Sequence, residues 1–342
     1  MKAQILAETM QLRADSEPLR LVELPDPVPS ADEVLIRVQV CGVCHTELDE
    51  IEGRAPPAQF PMVLGHQVIG RIAAVGSDVA ELAPGDRVGV GWIFSACGDC
   101  LYCRTGRENL CAGFLATGRD RPGGYAQLMT ANARFVYKIP DALTDEQAAP
   151  LMCAGAIGYR SLRLTNLVDG QALGLTGFGA SAHIVLQMVR QMLPQTSVYV
   201  FARSERERLF AKELGAVWTG NTSDRAPVLL DAIIDTTPAW LPVICALESL
   251  APGGRLIINA IRKESQDRDL LAQLDYPRHL WMEKEIKSVA NITRQDIREF
   301  LAMAATANWK PTTRLFPLQD ANRALTELKT RSIVGAHLLT LE

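Results

Sequence analysis

At 342 residues, 48% of them apolar and 6% aromatic, the chain is long enough for two domains, each with its own core. A net charge of −4 with no run of like charges argues against nucleic acid and anionic membrane as partners, and no apolar run approaches membrane-spanning length. Eight cysteines, and no signal-peptide pattern in MKAQILAETMQLRADSEP, lead to the expectation of thiols kept reduced in the cytoplasm.

From Lys2 to about Val40 the pattern is strand-like: VLIRVQV alternates, and PDPVPSADE marks turns. The stretch from Cys41 to His66 follows, reading CGVCHTELDEIEGRAPPAQFPMVLGH. Cys44 is a soft metal ligand, and His66, leaving a turn at Gly65, is a second. Thr46, two positions after the cysteine, is close enough to pass a proton to or from anything bound there. Catalytic zinc takes three protein ligands and keeps a fourth position open to polarise an oxygen. Cys153, in PLMCAG, is the candidate for the third. Taken singly, a buried free cysteine or a lone histidine is more often core; their company decides for metal.

Residues 63–92 are rich in Gly, Val and Ile and read as a β-rich, partly open barrel whose glycines serve turns and bulges. Cys97, Cys100 and Cys103 then recur at two-residue gaps, with Cys111 shortly after. Four thiolates so spaced can close a tetrahedral shell, which orders a loop and does no chemistry. A pair of disulfides is the alternative; in a reducing compartment the repeated gaps favour zinc.

Around residue 150 the character changes. Asp145 to Arg163 reads as a helix, with Thr144 as cap and Gln147 at capping-box spacing. Up to about Asn291, strands (ALGLTGF, SVYVFA, DAIIDTT, RLIINA, EIKSVA) alternate with helices (SAHIVLQMVRQML, ERERLFAKEL). Such alternation implies a parallel sheet covered on both faces. A helix (RQDIREFLAMAATA) and a strand (GAHLLTL) close the chain, and this tail is expected to return to the first domain.

Between the first of these strands and its helix lies Gly177-Phe178-Gly179-Ala180-Ser181-Ala182, a G-x-G-x-x-A turn. Gly177 serves the turn, Gly179 lets a pyrophosphate approach the backbone, and Ala182 allows close helix–strand packing. The helix N-terminus, at Ala180, favours the diphosphate. The second strand ends Phe201-Ala202-Arg203-Ser204, with no carboxylate before Glu205 to bind ribose hydroxyls. Arg203 and Ser204 can hold a 2′-phosphate, so NADP is expected over NAD. The competing reading makes Arg203 a solvated surface residue.

CGVCHTE, Gly65-His66, the four-cysteine loop, the CAG at Cys153 and GFGASA, in that order, resemble the zinc-dependent alcohol dehydrogenases of the medium-chain dehydrogenase/reductase superfamily. The resemblance covers the whole chain. It implies an α/β protein with a GroES-like β-rich catalytic domain (1–153 and 292–342) and a Rossmann doubly wound parallel-sheet domain (154–291), with the active site in the cleft between them. It implies two zincs per chain: a catalytic one on Cys44, His66 and Cys153, and a structural one on Cys97, Cys100, Cys103 and Cys111. Thr46 would belong to the proton relay, His45 would touch the cofactor pyrophosphate, and Trp92 would form an aromatic wall of the substrate pocket. Glu47 stands where the family often has Asp, Gln67 where it usually has Glu, and Asp49 where the relay often ends in His. Ile157 replaces a threonine that commonly meets the nicotinamide, and Ala336 a frequent arginine.

The implied reaction is hydride transfer between an alcohol, expected to be primary given the bulk of Trp92 and Ile157, and a nicotinamide cofactor, the proton leaving through Thr46 towards Asp49. A homo-oligomer, dimer or tetramer, is expected. Two other readings compete: a zinc-independent quinone or enoyl reductase, and a non-catalytic zinc-stabilised binding protein on this fold. The first has no need of Cys44, His66 and Cys153 together. Retention of all three ligands with Thr46 weighs against the second.

Overall fold

Strand Glu33–Val43 runs through the middle of the first unit's main sheet. Val34, Ile36, Val38 and Val40 alternate inward and are buried, while Arg37 points to solvent, as a period of two requires. Each such aliphatic side chain contributes about 1.5–3 kcal/mol on burial. On one side it pairs antiparallel with Gln67–Val75; on the other, Leu128–Asn132 takes its first half and Ala336–Thr340 its second. The chain's closing strand is thus laid into the sheet beside Val40 to Val43. A three-stranded sheet (Leu19–Glu23, Lys2–Leu6, Met62–Val63) and the helix Ala321–Thr330 close over the same core, which holds Leu64, Tyr125, Met129, Phe316 and Leu325.

The computed structural model describes residues 1–307, 309, 311–330 and 335–341. Residues 308, 310, 331–334 and 342, all in the tail expected to return to the first domain, lie outside the described residues. Two compact units divide the chain, Met1–Cys153 with Asn291–Glu342, and Ala154–Ala290. No helix among the described residues is long and apolar enough to cross a membrane.

The second unit is built on a six-stranded, all-parallel sheet. In spatial order its strands are Trp218–Gly220, Ser197–Phe201, Ala172–Thr176, Leu230–Asp235, Leu250–Ile258 and Glu285–Ser288. This is the doubly wound 3-2-1-4-5-6 order, whose direction reverses beside the first strand. Runs such as Ile233-Ile234 and Leu256-Ile257 are apolar at successive positions because helices cover both faces. The three-residue strand Trp218–Gly220 is absent from the sequence reading: it is too short to show a period. Thr236 and Thr237, read as strand, leave the sheet after Asp235.

Candidate active site

Cys44 and His66 meet because of strand register. Gly42 lies opposite Gln67 in the antiparallel pair, so the residues just past one strand and just before the other face each other. Cys44 then caps the helix His45–Ile51, its Sγ accepting the Thr46 N–H at 3.4 Å. Cys153 comes from elsewhere. The capping box of Thr144 and Gln147 starts the helix Asp145–Pro150, which widens into a π-helical turn, Leu151–Gly155, and Cys153 sits in that turn. Such turns recur at functional sites because they displace a side chain from the regular helical spiral.

The sulfurs of Cys44 and Cys153 and a ring nitrogen of His66 all lie within 4.8 Å of one another. Cys44 Sγ is 3.7 Å from His66 Nε2. A tetrahedral centre with ordinary zinc–sulfur and zinc–nitrogen bonds sets those two atoms about 3.6 Å apart, so the donor set fits zinc. Behind it, Glu47 is fully buried; its Oε1 lies 2.6 Å from His66 Nδ1, and its Oε2 accepts the Cys44 N–H at 2.8 Å. The imidazole is thereby held with Nε2 towards the thiols. A hydrogen bond with Cys153, then burial, then the Glu47 carboxylate push the Cys44 thiol well up. Burial opposes charge on His66, but Glu47 and then Cys44 outweigh it and raise the imidazole well above its usual range. A bound metal would take these donors deprotonated, so its binding would release protons.

The second cluster has a different character. Cys97 Sγ lies 3.5 Å from Cys111 Sγ and 3.8 Å from Cys103 Sγ, and all four sulfurs fall within 4.8 Å of one another. The edge of a zinc–thiolate tetrahedron is about 3.8 Å, whereas a disulfide is about 2.05 Å. All four cysteines are free. The N–H groups of Cys100 and Asp99 lower Cys97 to about 6, and burial lifts Cys103 to about 12. A zinc ion would bind all four as thiolates.

At the dinucleotide turn, Gly177 has a φ of +76°, and a Cβ there would come within 2.8 Å of Thr236 Oγ1. A Cβ on Gly179 would meet nothing within 4 Å, so the backbone there is open to approach. Ala180 begins the helix Ala180–Met192, and Ala182 is fully buried against the sheet. Beside this turn is a network that the sequence reading missed. Asp235, fully buried, accepts from Thr176 Oγ1 at 2.5 Å and Thr237 Oγ1 at 2.8 Å, and pairs with Lys263. Lys263 Nζ also donates to the carbonyls of Thr237 and Ala239, at 2.8 and 3.0 Å. The pair fixes the loop against which Gly177 packs.

His45 is exposed and Thr46 partly so. Asp49 is buried and receives Arg54 Nε at 2.5 Å. Gln67 lies over Gly42, where a Cβ would come within 2.5 Å of its Oε1. Trp92 packs on Phe114, ring centroids 5.4 Å apart, with the Arg119 guanidinium 5.2 Å from its centroid. Ile157, in the second unit, lies on the helix Ala156–Thr165 and is partly buried. Ala202 is buried and Arg203 exposed. Ser204 precedes the helix Glu205–Glu213 without capping it through its side chain. Arg208, also unanticipated, donates to the carbonyls of Ala202 and Arg203 at 2.7 and 2.9 Å.

Residues 30–141 match the alcohol dehydrogenase GroES-like domain family, and the other unit is a Rossmann-type parallel sheet; the fold is that of medium-chain dehydrogenases. The chain is 41% identical over 332 residues to a probable alcohol dehydrogenase, AdhA, of Mycobacterium tuberculosis, covering 96% of this chain and 94% of that one. It is 32% identical to an alcohol dehydrogenase of Geobacillus stearothermophilus, covering 95% and 97%. The chain belongs to the medium-chain alcohol dehydrogenase family. Among solved structures, a cobalt- and zinc-bound thermostable alcohol dehydrogenase from Pyrobaculum aerophilum superposes with a TM-score of 0.87 over 99% of both chains, at 22% identity, a likeness of fold.

Proposed function

We propose that this chain is a zinc-dependent alcohol dehydrogenase, interconverting primary alcohols and aldehydes with NADP(H). One observation carries the reading: two thiols and an imidazole converge within 4.8 Å, with Thr46 two residues from one of them, in a member of this family. Zinc, when bound, supplies a Lewis acid for a substrate oxygen, and a nicotinamide cofactor supplies the hydride chemistry.

The chain's own residues do the rest. Cys44 and Cys153 provide two anionic donors, and Glu47 orients His66 as the neutral third. The Thr46 N–H is tied to Cys44 Sγ, which keeps the Thr46 hydroxyl beside the site, where it takes the substrate's hydroxyl proton and returns it in the reverse direction. Asp49 is proposed at the far end of that path, with Arg54 fixing its orientation. Trp92, packed at a tilt on Phe114, is proposed as an apolar wall for the substrate, and Ile157 as added bulk; both favour unbranched substrates. His45 is proposed to meet the pyrophosphate together with the turn Gly177 to Ala182. Cys97, Cys100, Cys103 and Cys111 are proposed to hold the second zinc, which orders its loop.

Metal analysis with an activity screen tests this. The wild type should carry two zincs and reduce aldehydes, and Cys44→Ser should carry one zinc and lose turnover. A Cys44→Ser variant with normal kcat would overturn the assignment. A clear preference for secondary alcohols would overturn the substrate reading.

A further inference from the structure

Glu50 is an anomalous buried group in the first unit. It sits on the helix His45–Ile51, three residues after Glu47 and so on the same helical face, the face that meets His66. It is fully buried, and neither carboxyl oxygen finds a hydrogen-bond or ion-pair partner among the described residues. The charged and titratable groups around it are Glu47, His66, Arg119 and Asp49, with Tyr125 also feeling its charge. Burial, then the Glu47 carboxylate, push its pKa well above the usual carboxylate range.

A dry carboxyl with no partner is costly, and in native proteins it usually signals a water or an ion that completes it. Arg119 acts on Glu50 only through space: no hydrogen bond or ion pair joins them among the described residues, and its guanidinium lies 2.7 Å from Asp120 and over the faces of Trp92 and Phe114. His66, whose charge acts on Glu50, is a member of the Cys44–His66–Cys153 donor set, where a cation would add positive charge. Glu50 is not a fourth member of that set.

We propose that Glu50 is a counter-charge for the metal held by Cys44, His66 and Cys153, a carboxylate that acts on the ion through space and raises the site's affinity without binding it. The proposal rests on the reading of those three residues as a zinc site. Without metal, Glu50 costs the fold its burial; with metal, the same group is stabilised by the charge it faces. Metal binding and the stability of this corner are therefore coupled.

The test is zinc release from the full-length protein into excess EDTA, following the metal left on the chain. The slow and fast phases are assigned with Cys44→Ser. Glu50→Gln, which keeps shape and removes charge, should weaken retention of the Cys44-site zinc about 10- to 100-fold and leave the four-cysteine zinc unchanged. Glu50→Asp should retain most of the wild-type affinity. After both proteins are stripped of metal, Glu50→Gln should melt at the wild-type temperature or above it, because an amide is cheaper to bury than a carboxylate. A merely structural Glu50 would lower the melting temperature with and without metal alike, and that result overturns the proposal. Two zincs in the wild type with unchanged release from Glu50→Gln would overturn it alone. A wild type holding a single zinc that Cys44→Ser also keeps would overturn both it and the zinc reading.

Discussion

The Glu47 carboxylate reaches His66 Nδ1 at 2.6 Å, while its other oxygen takes the N–H of Cys44 at 2.8 Å. One side chain thus orients one candidate metal ligand and fixes the backbone of another. The second contact is half of a capping box, in which Cys44 starts the helix that carries Glu47 itself. An aspartate, one methylene shorter, could not span both without drawing the helix towards His66.

Removing that carboxylate is predicted to loosen the metal before it loosens the fold. Groups that orient a ligating histidine are worth about 10- to 100-fold in metal affinity. Glu47→Gln should therefore retain zinc about that much less tightly at the Cys44 site, with kcat restored by added zinc. A variant with wild-type zinc retention would show that His66 is oriented by something else.

The four-cysteine loop should respond in the opposite order. Its shell is closed, so losing a ligand removes order and leaves the chemical step in place. Cys103→Ala is expected to lose one zinc and to melt at a lower temperature, with kcat preserved while the protein stays folded. Full zinc content with an unchanged melting temperature would mean that these sulfurs hold no structural metal.

Glu52 makes a prediction about acid stability. Burial works against its charge, but Lys329, Arg54 and the Leu12 N–H outweigh it and hold the carboxyl below its usual range. A folded-state pKa below the unfolded one contributes stability above the unfolded value, and that contribution is lost as pH falls through the folded value. Glu52→Gln should cost about 1–3 kcal/mol at neutral pH and much less well below the carboxylate range. Urea melts at the two pH values measure it; an equal loss at both would show that the side chain acts by packing alone.

What the sequence made legible follows from how each feature is encoded. The two zinc-type clusters rest on cysteine spacing and short motifs, and the turn at Gly177 on glycines whose conformation or openness is needed there; such signals survive without coordinates. Strand Trp218–Gly220 was invisible because three residues carry no period. Lys263 and Glu50 were invisible for a different reason. Each is an ordinary charged residue in sequence, and only the fold reveals that one is buried against Asp235 and the other is buried with neither carboxyl oxygen hydrogen-bonded among the described residues. Arg208 reads as a surface helix residue until the chain curls its guanidinium onto the carbonyls of Ala202 and Arg203.

Those two carbonyls lead to the prediction of cofactor choice. Ala202 puts no carboxylate at the end of the second strand, so nothing there repels a 2′-phosphate. The Arg203 guanidinium is exposed and makes no ion pair with Glu205 or Glu207 among the described residues, and Ser204 does not use its hydroxyl to cap the following helix. Both groups are therefore available to phosphate oxygens, which suit a planar guanidinium. Charge-assisted bonds of this kind contribute about 1.5–3 kcal/mol, or about ten- to a hundredfold. Arg203→Ala should accordingly lower kcat/KM with NADP(H) by that factor and leave NAD(H) nearly unchanged. Arg208→Ala is different: its bonds shape the turn rather than meet the phosphate, so it should weaken both cofactors together. Equal losses with both cofactors from Arg203→Ala, or a wild type that prefers NAD(H), would make Arg203 a surface residue and leave the adenosine end of the site to be read by other groups.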